Sequence, residues 1–342
     1  MAKNNEGAIL LVTLWILAIL SLLAVGIGFR TAVQTRLVAY QIDSLKAREI
    51  AKAGIMLAMH ELEKKGASAA TQKKPDTLWE CGFALDPGVT PESIFKKEIG
   101  DGYFVVSYMD EGQRIRYGVE DLLSKININT ASGEILRRLS PGITEDIANN
   151  IRAWRGDKDM ESIRFSMSAD VWCKNALLDD IHELLLVKDF TRAMFSDEEN
   201  GIERNITVDG DPASLRLNVN TAGQKALEVI GFGAYADRIV KYRAGPDGNI
   251  ETVGDNNVFT AEGLSEQLKV ALSDDGTFVA SVLADIAQQK AELVCSSAYF
   301  RISSTGVLAR KRGVVRKTLT CVVARDGSAG AAPLRILRWH EE

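Results

Sequence analysis

Residues Ala8 to Phe29 form a run of 22 without a single charge, ALLV-type aliphatics with Thr13, Trp15 and Ser21 among them. At about 1.5 Å per helical residue such a run crosses the roughly 30 Å hydrocarbon core of a bilayer. In that solvent a single segment satisfies its own backbone only as an α-helix. The rest of the chain is therefore read as material carried on a membrane helix.

The residues before the run do not resemble a secretory leader. Met1 to Gly7 carries only Lys3 and Glu6 as charges, and Gly26-Ile27-Gly28-Phe29 passes straight into Arg30 without a small-x-small cleavage box. The helical signal then continues. Arg30 to Lys65 holds no proline and one glycine, Gly54, with Leu37, Ile42, Leu45, Ile50, Ile55, Leu57, Met59 and Leu62 spaced among charged residues. The spacing predicts one helix from Ala8 to about Lys65, ended by Gly66.

The chain of 342 residues has material for about two domains behind that helix. Its net charge of -5 supplies no general attraction for nucleic acid or anionic lipid. The four cysteines, Cys81, Cys173, Cys295 and Cys321, are too few for a disulfide scaffold and include no C-x-x-C. Cys295 and Cys321 flank what read as neighbouring strands; they pair in an oxidising compartment, or stand as two buried thiols.

Gly66 to Pro91 reads as a polar loop with apolar spots at Leu78-Trp79 and Phe83. Tyr103 to Met109, the turn Asp110-Glu111-Gly112 and Arg114 to Val119 read as a hairpin. Asp121 to about Asp285 is mainly helical, with a strand-like Ile206-Thr207-Val208. Strands return at Ala298 to Ser304, Val314 to Ala324 and Leu334 to Trp339. Strands on both sides of a helical block predict an α+β fold in which the block is inserted and the C-terminus completes the sheet.

That block contains a repeat. Lys125-Ile126-Asn127-Ile128-Asn129-Thr130-Ala131 leads to Pro141-Gly142-Ile143 and Ile151-Arg152-Ala153-Trp154-Arg155. Arg216-Leu217-Asn218-Val219-Asn220-Thr221-Ala222 leads to Gly231-Phe232-Gly233 and Ile239-Val240-Lys241-Tyr242-Arg243. In each copy the Asn-x-Asn-Thr stretch is expected to cap a helix, a glycine turn to let two helices pack, and the closing arginine to suit the helix dipole. The pattern is helix-hairpin-helix-like, which raises phosphate binding through backbone N–H groups. Charge opposes it. Thr221 to Asp285 holds five Lys or Arg against ten Asp or Glu, which repels a phosphate backbone.

The apolar N-terminus, the helix Ala47-x-x-x-Ala51-x-x-Gly54-x-x-x-Ala58-x-x-x-Leu62, the two Asn-x-Asn-Thr-Ala repeats and Tyr299-Phe300-Arg301-Ile302-Ser303-Ser304 together resemble the K-class minor pseudopilin of bacterial type II secretion, general secretion pathway protein K. The resemblance runs over most of the chain. It implies a long transmembrane pilin helix packed on a small antiparallel sheet, with a large inserted α-helical domain holding the repeats. The expected divisions are a leader at 1–7, a membrane segment at 8–29, pilin helix and first strands at 30–120, the insertion at 121–285 and closing strands at 286–342. It also implies cleavage by prepilin peptidase between Gly7 and Ala8, N-methylation of Ala8, and a single-pass protein of the inner membrane with a cytoplasmic N-terminus and a periplasmic bulk. The implied partners are the I- and J-class minor pseudopilins, the major pseudopilin and the inner-membrane assembly platform. The implied role is to cap the pseudopilus and help start its assembly for protein export.

Most pseudopilins place a glutamate at the fifth mature position, where the K class lacks one. Counted from Ala8, that position is Val12. A buried glutamate is tolerable only when a neighbouring subunit's N-terminal amine meets it, and a subunit at the tip has none above it to serve. A type IV pilus minor pilin shares the leader and long helix but not the inserted block, and a membrane-tethered helix-hairpin-helix DNA receptor is the reading that the charge count opposes.

Calcium is the one cofactor the sequence raises. Asp247, Asn249, Glu251 and Asp255 gather hard oxygens around glycines in Pro246 to Asn257, as calcium requires, although the EF-hand spacing is incomplete and a plain polar loop reads the same way. No enzyme signature accompanies it. His60, His182 and His340 lie far apart in the chain, without H-E-x-x-H, Gly-x-Ser-x-Gly or P-loop spacing. Asp179-Asp180 before His182-Glu183 reads as a solvated face, with Leu177, Leu178, Ile181 and Leu184 turned inward.

Overall fold

The structure, a computed structural model, describes residues 6–72, 88–168, 173–197, 201–250, 256–274, 276–310, 313–325 and 334–341. Helix α1 (Glu6–Gln72) leads into α2 (Pro91–Phe95) and strands β1 (Lys96–Ile99), β2 (Gly102–Met109), β3 (Ile115–Tyr117), β4 (Glu120–Asp121) and β5 (Ile126–Asn127). Helices α3 (Gly133–Leu139), α4 (Glu145–Trp154), α5 (Glu161–Ser168) and α6 (Arg192–Ser196) precede β6 (Ile206–Thr207) and β7 (Leu215–Asn218). Then come α7 (Gln224–Leu227), α8 (Ala236–Ala244), α9 (Leu264–Leu272), α10 (Thr277–Gln288), β8 (Ala291–Val294), β9 (Tyr299–Arg310), β10 (Gly313–Ala324) and β11 (Arg335–Glu341).

One antiparallel sheet runs β1-β2-β9-β10-β11, with β3 added to β2 and β4 to the end of β9. The α+β order expected from the sequence is the one found. Helix α1 lies across β2, β9 and β10. Its inward residues Ala47, Ile50, Ala51, Ile55, Ala58 and Leu62 are all buried, in the three-and-four spacing of one helical face. Phe300, Ile302 and Leu308 of β9 and Leu319, Cys321 and Val323 of β10 face them. Fully burying each Ile or Leu contributes about 1.5–3 kcal/mol.

Small residues set the distance. A Cβ on Gly54 would overlap Ser304 Oγ, and one on Gly306 would overlap the Ala47 carbonyl oxygen. Two ion pairs fasten the helix, one to the end of β9 and one to the edge strand β11: Arg310 Nη2 to Asp43 at 3.1 Å and Arg48 Nε to Glu341 at 2.9 Å.

Three expectations need correcting. Gly66 does not end α1, which runs on to Gln72; a mid-helix glycine costs about 1 kcal/mol, and the alanines that follow are strong helix formers. The helical block holds more strand than expected: Ile206-Thr207 is a strand as read, β6, but it pairs in parallel with β5, and β7 with β8 forms a second short parallel ladder. Such strands of two to four residues give no alternating pattern to read. The stretch around Asp180 is a 3-10 helix, Ile181–Leu186, closed by an Asp180–Glu183 capping box, and it leaves Leu177 exposed while burying Leu178 and Leu184. Leu78-Trp79, Cys81 and Phe83 fall outside the described residues.

The residues of the block have their own hydrophobic cluster, from Ile126 to Leu293, centred on Ile128, Trp154, Leu217, Ile230 and Phe259. It is separate from the cluster between α1 and the sheet. Gly306→Ala is expected to destabilise residues 30–342 by about 2–3 kcal/mol, because backbone rather than a movable side chain meets the new methyl. Ser304→Ala at the same contact should be neutral or stabilising, since Ser304 Oγ is buried without a hydrogen-bond partner. Denaturant unfolding of the two variants checks the contrast.

Candidate functional site

From Glu6 to Ile42, a length of about 55 Å at helical rise, α1 stands clear of the sheet. Gly7 and Ala8 lie in its first turn, and Val12 is one turn further along, 55% exposed. Leu14, Trp15, Leu17, Leu22, Val25 and Phe29 are exposed with it, and Val33, Leu37, Val38, Tyr40, Ile42 and Leu45 extend the apolar surface past Arg30. This is the one described helix long and apolar enough to cross a membrane. Beyond Arg30 an exposed surface of that size needs a protein or lipid neighbour.

The repeats fold alike, and differently from the capping role expected of them. Asn129 Oδ1 accepts Leu178 N–H at 2.9 Å, and its Nδ2 donates to the carbonyls of Leu178 and Val208. Asn220 Oδ1 accepts Phe259 N–H at 2.8 Å, and its Nδ2 donates to the carbonyls of Phe259 and Cys295. Asn127 and Asn218 turn the chain by accepting the N–H two residues on. The second asparagine of each copy thus laces two passing loops to the parallel ladder. The caps are elsewhere: Ser132 caps α3, and Gly223 precedes α7 without a side-chain cap.

The closing arginines turn inward, not toward a helix dipole. Arg155 Nη1 donates to the Ile128 carbonyl at 2.5 Å and Arg243 Nη1 to that of Val219 at 2.8 Å, each within its own copy. Neither is presented to a ligand, and both are buried.

Between the two clusters runs a polar seam that the sequence does not announce. Asp121 on β4 is buried, and its Oδ2 accepts from Asn218 Nδ2 at 3.0 Å, Ser297 Oγ at 2.5 Å and Thr221 Oγ1. Its Oδ1 accepts Leu123 N–H at 2.8 Å. Burial raises its carboxyl above the ordinary aspartate range despite these donors. Asp209 meets Arg338 of β11 at 2.7 Å and is likewise raised by burial. Burial would also raise Glu120, but Lys125 at 2.6 Å and Arg301 at 3.0 Å outweigh it and hold the carboxyl low.

Of the proposed calcium ligands, Asp247 and Asn249 are described, and Glu251 and Asp255 are not. Asp247 Oδ1 accepts the Asn249 N–H at 2.8 Å. Asn256, a further oxygen donor in the same stretch, donates Nδ2 to the Ile250 carbonyl at 2.7 Å, while its buried Oδ1 has no partner. An unsatisfied hard oxygen beside this loop fits the donor set that calcium takes. Among the described residues no three His, Cys, Asp or Glu side chains cluster to hold a metal.

Cys295 and Cys321 are free thiols. Cys321 sits in the helix–sheet core and Cys295 against the other cluster, which is why strands close in sequence do not bring their sulfurs together. Burial pushes their thiols up to about 12 and about 11 respectively. His60, His182 and His340 sit on α1, on the 3-10 helix and on β11, and assemble no common centre.

No family model and no curated protein matches the sequence significantly. By structure the chain is similar to a chain in the crystal structure of the GspK-GspI-GspJ complex from the enterotoxigenic Escherichia coli type 2 secretion system, at 15% identity and a TM-score of 0.54. The likeness covers 92% of this chain and 99% of that one. The fold is GspK-like. It takes in the pilin-type helix and sheet together with the inserted block, and it agrees with the resemblance carried by the helix face, the repeats and the β9 sequence.

Within this GspK-like fold, Asn220→Ala should cost about 2–4 kcal/mol by leaving the Phe259 N–H and two carbonyls unpaired. Thermal unfolding measures it. Asp121 makes a second prediction. Its folded pKa is raised, so the stability it contributes is present below the ordinary aspartate pKa and is lost as pH rises through the raised one. Asp121→Asn should flatten that part of the stability–pH curve.

Proposed function

We propose that the protein is a K-class minor pseudopilin, which caps the pseudopilus and helps start its assembly in type II secretion. The observation that carries this reading is a GspK-like fold over nearly the whole chain, combined with an N-terminal helix whose apolar surface is exposed well past the length of a bilayer. Prepilin peptidase cuts between Gly7 and Ala8 and methylates the new N-terminus. The protein sits in the inner membrane by one span, with its bulk in the periplasm, until α1 exchanges lipid for neighbouring helices. Its role is structural, not catalytic.

The solved relative is a complex with GspI and GspJ, and by that likeness the partners are the I- and J-class minor pseudopilins. The major pseudopilin and the assembly platform follow from the same role. Val12 supports a tip position: an apolar side chain needs no amine from a subunit above it, whereas a carboxylate would. Calcium, where bound, is held by Asp247, Asn249, Asn256 and the neighbouring Glu251 and Asp255, and there it neutralises their charge and stiffens the loop.

Residues 30–342 should co-purify with the I- and J-class pseudopilins of the same system; a protein that stays alone with all of them loses the tip-complex reading. In the full chain, Val12→Glu is expected to lower secretion, and normal assembly and export in that variant would remove the missing carboxylate as the mark of the tip. Calcium should raise the melting temperature of residues 30–342, an increase that Asp247→Ala abolishes. An unchanged melting temperature leaves the loop a plain polar turn.

A further inference from the structure

The last strand of the sheet lies alongside α1. Arg48 Nε meets Glu341 at 2.9 Å, and Glu63 Oε1 accepts the Leu334 N–H at 3.3 Å. Between those anchors α1 rises about 22 Å, and an extended chain covers about 23 Å. Helix and strand therefore run antiparallel, side by side, over the whole of β11. Arg48, Lys52, Met56, Met59 and Glu63 form one stripe of α1 at the three-and-four spacing. Trp339 pairs with Cys321 and Ile336 with Val323, two buried residues of β10 in the core under α1, so both point to the helix side of the sheet.

The result is an apolar groove open to solvent. Met56 is 64% exposed, Ile336 48% and Trp339 41%. Strand β11 is exposed along its whole length, and as the end of the sheet it has a free row of backbone N–H and C=O groups. The opposite edge, β1, carries Lys96 and Lys97, lysines of the kind that blunt an edge, whereas β11 has neither lysine nor proline. Charge marks the two ends of the groove. Lys52 stands about 6 Å up the helix from Arg48, level with Trp339, and Arg335 opens the strand. Among the described residues neither cation has an ion-pair partner. Glu49 and Glu341 are engaged by Arg48, and Arg338 by Asp209 on the other face of the sheet.

We propose that this groove takes an extended segment of another protein, apolar in its middle and acidic at both ends, as an added strand on β11. Backbone hydrogen bonds to the free edge hold the segment, and its carboxylates meet Lys52 and Arg335. Its middle residues rest on Met56, Ile336 and Trp339, where a flexible thioether adapts to the side chain it meets. A second copy of β11 is a poor occupant on two counts. It brings Arg335 and Arg338 to a groove that already holds unpaired cations. The register also skips Leu337, a bulge that breaks the flat run long edge-to-edge pairing needs. The groove flanks the part of α1 that packs on the sheet, apart from the exposed stretch from Glu6 to Ile42, so the inference stands without the assembly role.

Hydrogen exchange by mass spectrometry on the full chain in phosphatidylcholine nanodiscs tests it with two short synthetic peptides. One has valine, isoleucine and valine between pairs of glutamates; the other has lysines in place of the glutamates. At saturation the glutamate peptide should slow exchange of the β11 amides about tenfold and leave those of α4 and α9 unchanged. The lysine peptide should leave β11 as it is. The double variant Lys52→Glu with Arg335→Glu, changed at two exposed side chains, should bind the glutamate peptide about tenfold more weakly, the scale of two exposed ion pairs, and should prefer the lysine peptide instead. Misfolding does not produce that reversal. No protection of β11, equal protection by both peptides, or a charge-swapped chain that still prefers glutamate would overturn the proposal. Protection of β11 that rises with protein concentration alone assigns the groove to a second copy and overturns it equally.

Discussion

The rest of the structure depends on how closely α1 approaches β9. Gly306 leaves no methyl between the strand and the backbone of Ala47 and Ala51, and Gly54 does the same from the helix side against Ser304 and Phe104. That contact lets Ile50, Ile55 and Leu62 reach the sheet. Dispersion and apolar burial over this face outweigh the one unsatisfied hydroxyl of Ser304. It also divides the helix: the half on the sheet is fixed, and the half below Asp43 projects with its apolar residues free to meet lipid or other helices.

The inserted block follows a different logic. Its order comes less from long elements than from side-chain amides, Asn129 and Asn220, each satisfying three backbone groups from passing loops. A buried amide with every bond made rigidifies a loop-rich core that short helices alone would leave loose. The block then joins the sheet through carboxylates, not through a continuous apolar core. Two bodies with separate cores and a polar joint are what a subunit needs if it must hold a helix in a filament and present a bulky head beyond it.

Much of this could be read from the residues. The three-and-four spacing in Ala47 to Leu62 marks the buried face, and the alternation in β2, β9 and β10 marks the sheet. The copies of Asn-x-Asn-Thr-Ala were legible as a repeat, but not their chemistry. An asparagine before a helix reads as a cap, and only the fold reveals the loops waiting for its amide. Ile206-Thr207 was legible as a strand, while β5, β7, β8 and the parallel pairing were hidden by shortness. The joint was hidden for another reason: Asp121 and Asp209 look like ordinary turn and surface carboxylates, and their partners lie up to 176 residues away.

The central claim is that the exposed stretch of α1 beyond the membrane segment is a surface for other pseudopilin helices. A photo-crosslinking amino acid placed at Leu37, Ile42 or Leu45 of the full-length protein in its native host tests this most directly. The account predicts adducts with minor pseudopilins at these positions. Adducts confined to lipid, or none at all while the secretion system is assembled and active, would contradict it.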